Sequence, residues 1–252
     1  MKKAHKKYVS ECFILIERAK NTLKEISTHD IGSIAIAYKI VRYIEHGERQ
    51  IDQIIRRVLN GERIPHKEKV FSIFEEHTEW ISKGKAGVPQ ELGLKVCVLE
   101  DQYQFIIHHK VMEKTEDKEI AIPLAEEALE IYPELASISY DKNFWSPYNK
   151  EKLDEILEIA VLPKKGYLSV EERKNENREE YQYYRRKHAA VESGINALEN
   201  HGLDRCCDHG IKGFKRYIAL AVVARNLQNI GNIIQKRKFE KMRKLVKLKQ
   251  SA

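Results

Sequence analysis

Cysteine is scarce in this chain, and none of it stands in a metal-binding or redox spacing. Its 252 residues contain four cysteines, Cys12, Cys97, Cys206 and Cys207, and no CxxC motif. Cys206 and Cys207 are adjacent, which disfavours an ordinary disulfide framework. The pattern favours a reducing compartment, so we expect a cytoplasmic protein.

Long apolar runs are also missing. No segment approaches the roughly 18 consecutive apolar residues that indicate a membrane span. No apolar signal region follows Met1, Lys2 and Lys3, and the glycine-bearing segment 83–87 lacks the GK[ST] ending of a phosphate-binding loop. We therefore expect no membrane partner and no P-loop nucleotide site, and segment 83–87 is predicted to be a turn.

The charge balance favours polyanionic partners. Lysine and arginine outnumber aspartate and glutamate by 45 to 38, which gives a net charge of +7 and a pI of about 9.0. Positions 235–249 carry eight basic residues against one acidic residue, Glu240. This basic tail is either a contact for the phosphate backbone or a solvated helix end that complements the helix dipole, and both can hold at once.

Hydrophobic periodicity predicts three regions: a helical segment at 1–64, an α/β core at 65–234 and the basic tail at 235–252. Three helices are expected between Tyr8 and Leu59, with breaks near 29–30 and 46–47. Asn60-Gly61 is expected to cap the last of them.

The core region changes period several times, which predicts a mixed sheet with flanking helices. The predicted elements are a hairpin (94–99 and 104–112), a helix (120–132), a strand (136–140), a helix (148–158), a strand (159–162), a charged connector (171–180), a helix around residue 192 and a helix at 214–234. This order is typical of an α/β sandwich.

Asp141 and Glu192 are the best candidates for chemistry. Asp141 follows a predicted strand, and ligands of open α/β sheets gather beyond the carboxyl ends of strands. Glu192 lies on a helix that begins with a basic cluster at 185–187. Two carboxylates from these places can share a divalent metal that also binds phosphate oxygens. Without a partner, Asp141 would be read as a turn former or a helix cap.

Other residues can be interpreted in two ways, as part of a functional site or as ordinary parts of the fold. His201, Cys206, Cys207 and His209 suggest zinc, but their spacing lacks the paired geometry of zinc sites. Adjacent His108 and His109 alternate across a strand, so at most one faces any site. A final group comprises aromatic residues that either stack on unpaired bases or pack the fold: Tyr181, Tyr183, Tyr184 and Trp145.

Several segments, in order, resemble the DDE transposases of bacterial insertion sequences, particularly the group often labelled ISNCY. The resemblance covers residues 1 to about 232. The matching segments are 68–81, 83–87, 139–142, 162–166, 188–193, 202–206, 213–217 and 224–227.

The resemblance implies an RNase H-like catalytic domain in which two aspartates and one glutamate hold magnesium, with manganese as a substitute, to cut and join DNA. Asp141 matches the second aspartate and Glu192 matches the glutamate. The implied partners are the ends and target DNA of a mobile element, with a homo-oligomer or a complementing transposase fragment. The expected DNA-contacting residues are Arg185, Arg186, Lys187, His188, Asn196, Arg205, Lys215 and Arg216.

The sequence departs from the family pattern around Glu192. Arg185, His188 and Glu199 stand where the family has Tyr, Arg and Lys, and Asn143 stands where a glycine is usual. Asn143 is expected to preserve the turn, because asparagine tolerates left-handed backbone.

The first aspartate of the family lies on a strand upstream of the hairpin, followed by a helical segment, and the resemblance implies that the chain begins inside that helical segment. Asp30 and Asp52 are in helical surroundings. We therefore expect the C-terminal part of a transposase that lacks its first strand and is inactive alone. The alternatives are a non-catalytic DNA-binding or regulatory remnant, and a decayed fragment that does not fold stably.

Overall fold

The computed structural model describes residues 2–26, 29–65, 68–82, 90–203 and 205–250, apart from the side chains at 189, 190, 192 and 245–250. The chain is mixed α/β and 64% helical, with small sheets and helices at both ends. Its contacts divide it into two units, Met1–Leu94 and Lys95–Ala252. The predicted α/β class is confirmed at this level.

A helical hairpin makes up most of the first unit. It consists of α1 (Lys2–Glu25) and α2 (Ile31–Ile54), and a π-helical turn (Ile55–Leu59) continues α2. Asp30 caps α2, because its Oδ1 accepts a hydrogen bond of 2.8 Å from the Ser33 backbone. The predicted break at 29–30 and the Gly61 cap, with φ of 80°, are both confirmed.

The predicted break at 46–47 is wrong, so two long helices replace the expected three. Gly47 lies inside α2, where a Cβ would stand 3.3 Å from Ile16 Cδ1. Glycine therefore serves close packing of α1 on α2 at this point. The core of the helical hairpin consists of Val9, Ile16, Ile44 and Ile51.

Two short strands in the first unit escaped sequence reasoning. They are β1 (Glu79–Ser82) and β2 (Gln90–Gly93), which pair antiparallel. The apolar patch at 70–74, by contrast, forms no strand. The turn predicted at 83–87 lies outside the described residues.

The second unit follows the predicted order of hairpin, helix, strand, helix and strand. The successive elements are β3 (Lys95–Glu100), β4 (Ile106–Met112), α3 (Asp117–Ile131), β5 (Ser137–Ser139), α4 (Pro147–Ile156), β6 (Ile159–Val161), α5 (Val170–Glu176), α6 (Glu179–Leu198) and α7 (Gly210–Gln250). The strands β3 and β4 pair antiparallel, whereas β5 and β6 pair parallel.

The hairpin turn is organised by Asp101. Its Oδ1 accepts hydrogen bonds from the backbone of Tyr103 (2.8 Å) and of Phe105 (2.9 Å), and Gln104 takes a left-handed φ of 68°. An aspartate that bonds the backbone two residues on is a common way to close a turn. The predicted hairpin is confirmed.

The expected single mixed sheet is not formed by the described residues. Their strands form three two-stranded sheets instead. The hairpin nevertheless shares a core with the parallel pair, because Cys97 and Leu99 of β3 pack against the main cluster. The buried members of that cluster are Ala121, Leu124, Ala125, Ile138, Tyr140, Leu153, Leu157, Ala160 and Leu162.

The helices late in the chain are longer than the sequence suggested. Part of the charged connector at 171–180 forms α5, which a reciprocal capping box between Ser169 and Glu172 begins. The last helix, α7, continues through the basic tail instead of ending near residue 234. Among the helices that the structure describes, none is both long and apolar enough to cross a membrane.

Candidate functional site

Asp141 stands where the pairing of β5 with β6 ends. The last hydrogen bond of the pair joins the Tyr140 amide to the Val161 carbonyl at 2.8 Å. Asp141 then precedes a 3₁₀ turn (Lys142–Phe144), and its exposed carboxylate makes no capping hydrogen bond to that turn. The carboxylate is therefore presented at the carboxyl end of a parallel strand, as the sequence predicted.

The turn after Asp141 does not require a glycine. Asn143 lies in the middle of the 3₁₀ turn and is not among the residues with positive φ. The left-handed backbone that we expected asparagine to tolerate is thus not used. The departure from the family pattern at Asn143 places no strain on the backbone.

A hydrogen bond from His188 brings α6 to this end of β5. His188 Nδ1 lies 3.0 Å from the carbonyl oxygen of Ser139, two residues before Asp141. A carbonyl only accepts, so Nδ1 carries the proton and the imidazole orientation is fixed. We predicted a DNA contact for His188, and the structure shows its Nδ1 joining a helix to a strand end.

Position 192 follows His188 by one helical turn. Residues four apart lie above one another on the same face of a helix, so position 192 shares the face that approaches β5. The backbone of Glu192 is part of α6. Its carboxylate lies outside the described side chains.

A third carboxylate, which sequence reasoning missed, contacts α6 near position 192. A Cβ on Gly194 would stand 2.1 Å from Glu100 Oε2, so Gly194 leaves the space that the carboxylate of Glu100 uses. Burial raises the pKa of Glu100, while the Arg225 charge opposes the shift and Asp101 adds to it. The signal for this contact was an isolated glycine inside a helical pattern.

The described side chains do not by themselves complete a metal site. No group of three or more His, Cys, Asp or Glu side chains in the described part of the chain has metal-binding geometry. Asp141 fits the role of one ligand, because it is an exposed, uncapped carboxylate of the kind that hard cations prefer. A magnesium site at the carboxyl end of β5 needs further oxygen ligands besides Asp141.

The residues that suggested zinc make other contacts. His201 Nε2 lies 3.0 Å from the Gln228 side-chain oxygen. The thiols of Cys206 and Cys207 donate weak hydrogen bonds to nearby backbone carbonyl oxygens, at 3.6 and 3.9 Å. Each of these three side chains thus has a local role in the connection between α6 and α7.

Three of the expected DNA-contacting cations form ion pairs within the chain. Pairing of this kind reduces the charge that each cation presents to a phosphate. The pairs are Arg185 with Glu176 (3.3 Å), Lys215 with Glu113 (2.5 Å) and Arg216 with Asp208 (2.9 Å).

Arg186 and Lys187 differ from their neighbour Arg185, because both are exposed and neither forms an ion pair among the described residues. Arg186 donates through Nε to the Gln182 carbonyl (3.1 Å). Lys187 lies over the Tyr183 ring, 4.5 Å from its centroid. Both cations are therefore held on the surface of α6 and keep their charge available.

Arg205 and Asn196 complete the predicted set. Arg205 is exposed in the connection between α6 and α7. Asn196 is exposed on α6, and its Oδ1 accepts a long hydrogen bond of 3.5 Å from Asn200. Neither side chain is tied to a carboxylate among the described residues.

The aromatic candidates separate into packing and exposed residues. Burial raises the pKa of Tyr181, whose hydroxyl is buried without a hydrogen-bond partner among the described atoms. Trp145 is covered by Lys164, 5.1 Å from its ring centroid. Tyr183 is half exposed and meets Tyr184 edge to face. Only Tyr183 of these four combines an exposed ring with a neighbouring exposed cation, Lys187.

The basic tail is a continuous extension of α7, and residues 235–244 are exposed.

Comparisons with protein-family models, with curated proteins and with solved structures find no match to this chain. The chemistry of the site therefore rests on Asp141, α6 and the exposed cations themselves.

Proposed function

We propose that this chain is a DDE-type transposase core, in whole or in part, built for magnesium-dependent cleavage and strand transfer of DNA. Asp141 and Glu192 are its metal-binding carboxylates. The observation that carries the proposal is the hydrogen bond of His188 to Ser139, because it holds the helix of Glu192 at the strand end that presents Asp141. The resemblance of the surrounding segments to DDE transposases supports it.

The order of elements supports an RNase H-like arrangement for the second unit. An antiparallel hairpin, a helix and a parallel strand pair joined by a helix occur in that sequence, and α6 follows. In such a fold the strand with the first aspartate lies between β3 and β5. Of the described aspartates none lies on a strand, so we infer that the described residues alone do not cleave DNA.

Each group has a defined part in this proposal. Bound magnesium would activate a water or a 3′-hydroxyl and stabilise the leaving oxygen. Asp141 would supply one oxygen ligand. His188 would position α6 by donating a hydrogen bond from Nδ1 to the Ser139 carbonyl oxygen. Arg186 and Lys187 would neutralise DNA phosphates beside the metal.

A local cleavage experiment tests the metal site without requiring enzyme activity. Fe²⁺ replaces Mg²⁺ at oxygen-ligand sites, and with ascorbate and peroxide it generates radicals that cut the nearby polypeptide. We expect cuts close to residues 141 and 192, suppressed by excess Mg²⁺. Asp141→Asn and Glu192→Gln should each remove both sets of cuts.

Glu158→Gln is the matched control, because Glu158 is an exposed carboxylate close to Asp141 in sequence. Its cutting pattern should equal that of the wild-type chain. Cuts near residues 141 and 192 that persist in Asp141→Asn and in Glu192→Gln would reject the proposed metal site.

A second candidate function is DNA binding without catalysis, which the exposed Arg186, Lys187 and basic tail favour. A salt-dependent gel shift that Glu192→Ala leaves unchanged, in a chain without metal-directed cuts, would identify this function. The absence of any shift at low salt would eliminate it, because phosphate contacts strengthen as salt falls.

A further inference from the structure

One face of α7 is firmly attached to the rest of the second unit. Ile218 and Val222 are 1% and 7% exposed, and Val222 joins Ile106 and Leu198 in a small core. Asn229 donates a hydrogen bond of 2.9 Å to the Tyr103 carbonyl. These contacts fix the rotation of α7 about its axis, and therefore which residues point away from the unit.

The outward face of α7 carries a regular row of exposed aliphatic side chains, which we call the seam. Successive members are separated by three, four, three and four residues, which is the a/d heptad spacing of a coiled coil. The seam consists of Leu220 (61% exposed), Val223 (54%), Leu227 (62%), Ile230 (43%) and Ile234 (48%).

The surroundings of the seam are suited to another helix. From Tyr217 to Ile234 the only charged residue is Arg225. Ala224 and Gly231 flank the seam, and a Cβ added to Gly231 would meet nothing within 4 Å. Small flanking residues let two helix backbones approach closely, and the lack of charge leaves no basis for selecting an oppositely charged partner.

We propose that the seam is the interface of a homodimer, in which α7 of a second copy lies antiparallel against it. A heptad row is complementary to itself, so a second copy of this chain fits without any further feature. With Arg225 at the centre, Leu220 packs against the partner's Ile230 and Val223 packs against the partner's Leu227. Each of these layers joins a leucine to a β-branched side chain.

Charge decides between the two orientations. A parallel pair would place two basic tails side by side, each with eight basic residues and one acidic residue between positions 235 and 249. An antiparallel pair sends the tails in opposite directions, so their repulsion is smaller. This arrangement also offers a basic helix at each end of the dimer for contact with DNA phosphates.

The mass of the full chain in solution tests the dimer. Light scattering after size-exclusion chromatography should give twice the 29.5 kDa of one chain. Leu227→Glu places a charge at the centre of the seam and should give a monomer. Since Leu227 is already exposed in one chain, the variant should keep its helical content by circular dichroism. Leu220→Glu provides a second seam variant with the same expectation.

Phe239→Glu is the matched control, because Phe239 lies on the same helix, off the seam, with 61% exposure against 62% for Leu227. It should remain a dimer. A monomeric wild-type chain would overturn the proposal, and so would dimers that persist in both seam variants. The metal-directed cuts at 141 and 192 are independent of these results, because no seam residue belongs to that site.

Spin labels test the orientation. A label carried by a non-canonical amino acid at position 235 should lie about 30 Å from its copy in an antiparallel pair, since about ten residues at 1.5 Å separate it from the centre on each side. A parallel pair would bring the two labels to about 10 Å, the usual distance between packed helices. The short distance would overturn the antiparallel arrangement.

Discussion

Asn226 on α7 binds both backbone polar groups of Ile106 on β4. Its Oδ1 accepts a hydrogen bond from the Ile106 amide and its Nδ2 donates one to the Ile106 carbonyl, each at 2.9 Å. Ile106 is only 5% exposed, so water cannot easily replace the amide. A single side chain thus takes the place of a neighbouring strand at the start of β4 and fixes α7 to the β3–β4 hairpin.

Asn226→Ala should destabilise the second unit. The substitution leaves a buried amide and a buried carbonyl without partners, which should cost about 2–3 kcal/mol. Urea unfolding followed by circular dichroism measures the loss. Asn232→Ala, at an exposed position of the same helix, should change the free energy of unfolding by no more than about 0.5 kcal/mol. Equal effects of the two substitutions would contradict the role given to Asn226.

Periodicity predicted most elements of the second unit, but contacts between distant residues were beyond it. The segments that became β3, β4, α3 and β5 each showed the period of their own structure. The pairing of Asn226 with Ile106 spans 120 residues, and nothing in either local pattern indicates it. Sequence reasoning therefore placed Asp141 at a strand end but could not place Glu100 beside Gly194.

Glycine shows how local signals mislead when the cause is tertiary. Glycine is a poor helix former, so a break was predicted at 46–47. In the structure Gly47 is inside α2 because Ile16 of α1 needs the space that a side chain would occupy. The information that reverses the prediction lies in another helix.

Gly47→Leu should weaken the first unit. The new side chain would have to displace Ile16, which is 9% exposed in the core of the helical hairpin. Overpacking of this kind costs about 1–3 kcal/mol, in spite of the higher helix propensity of leucine. Glu45→Leu introduces the same residue on the exposed face of α2 and serves as the control. Thermal unfolding should show a lower melting temperature for Gly47→Leu and an unchanged one for Glu45→Leu. An unchanged melting temperature for Gly47→Leu would show that α1 shifts at Ile16 to accommodate the new side chain.

Glu127 should make a small contribution to the free energy of unfolding that is lost in acid. The hydrogen bond from Lys110 lowers the pKa of Glu127 from its ordinary value of 4.5, burial opposes this, and His108 assists it at 2.9 Å. Because the folded pKa is lowered, the contribution is present above the unfolded pKa and is lost as pH falls through the folded pKa. Glu127 is 41% exposed, so solvent screening keeps the contribution below about 1 kcal/mol.

Denaturant unfolding across pH measures this contribution. The difference in free energy of unfolding between the wild-type chain and Glu127→Gln should be largest near neutrality and should close in acid. Glu126→Gln, on the exposed neighbouring position, should show no such dependence. A difference that grows as pH falls would have the wrong sign.

The thiols of Cys97 and Cys207 should differ strongly in reactivity. Burial, with a contribution from the charge of Asp117, raises the pKa of Cys97 to about 12, whereas Cys207 is exposed. At pH 8 only about one Cys97 side chain in 10⁴ would be a thiolate, the reactive form. Iodoacetamide labelling followed by peptide mass spectrometry should modify Cys207 first and Cys97 only after unfolding. Rapid labelling of Cys97 in the folded chain would contradict its packing against the core of the second unit.

Arg186 and Lys187 on α6 should together contribute to DNA binding, whereas their neighbour Arg185 should contribute little. Each phosphate contact adds about 0.9 to the slope of log affinity against log salt, so Arg186→Gln together with Lys187→Gln should reduce that slope by nearly 2. Arg185→Gln should change it little, because Arg185 already pairs with Glu176 at 3.3 Å. Fluorescence anisotropy on a labelled duplex between about 50 and 200 mM salt measures the slopes. Equal slopes for all variants would place the DNA elsewhere and leave the basic tail of α7 as its contact.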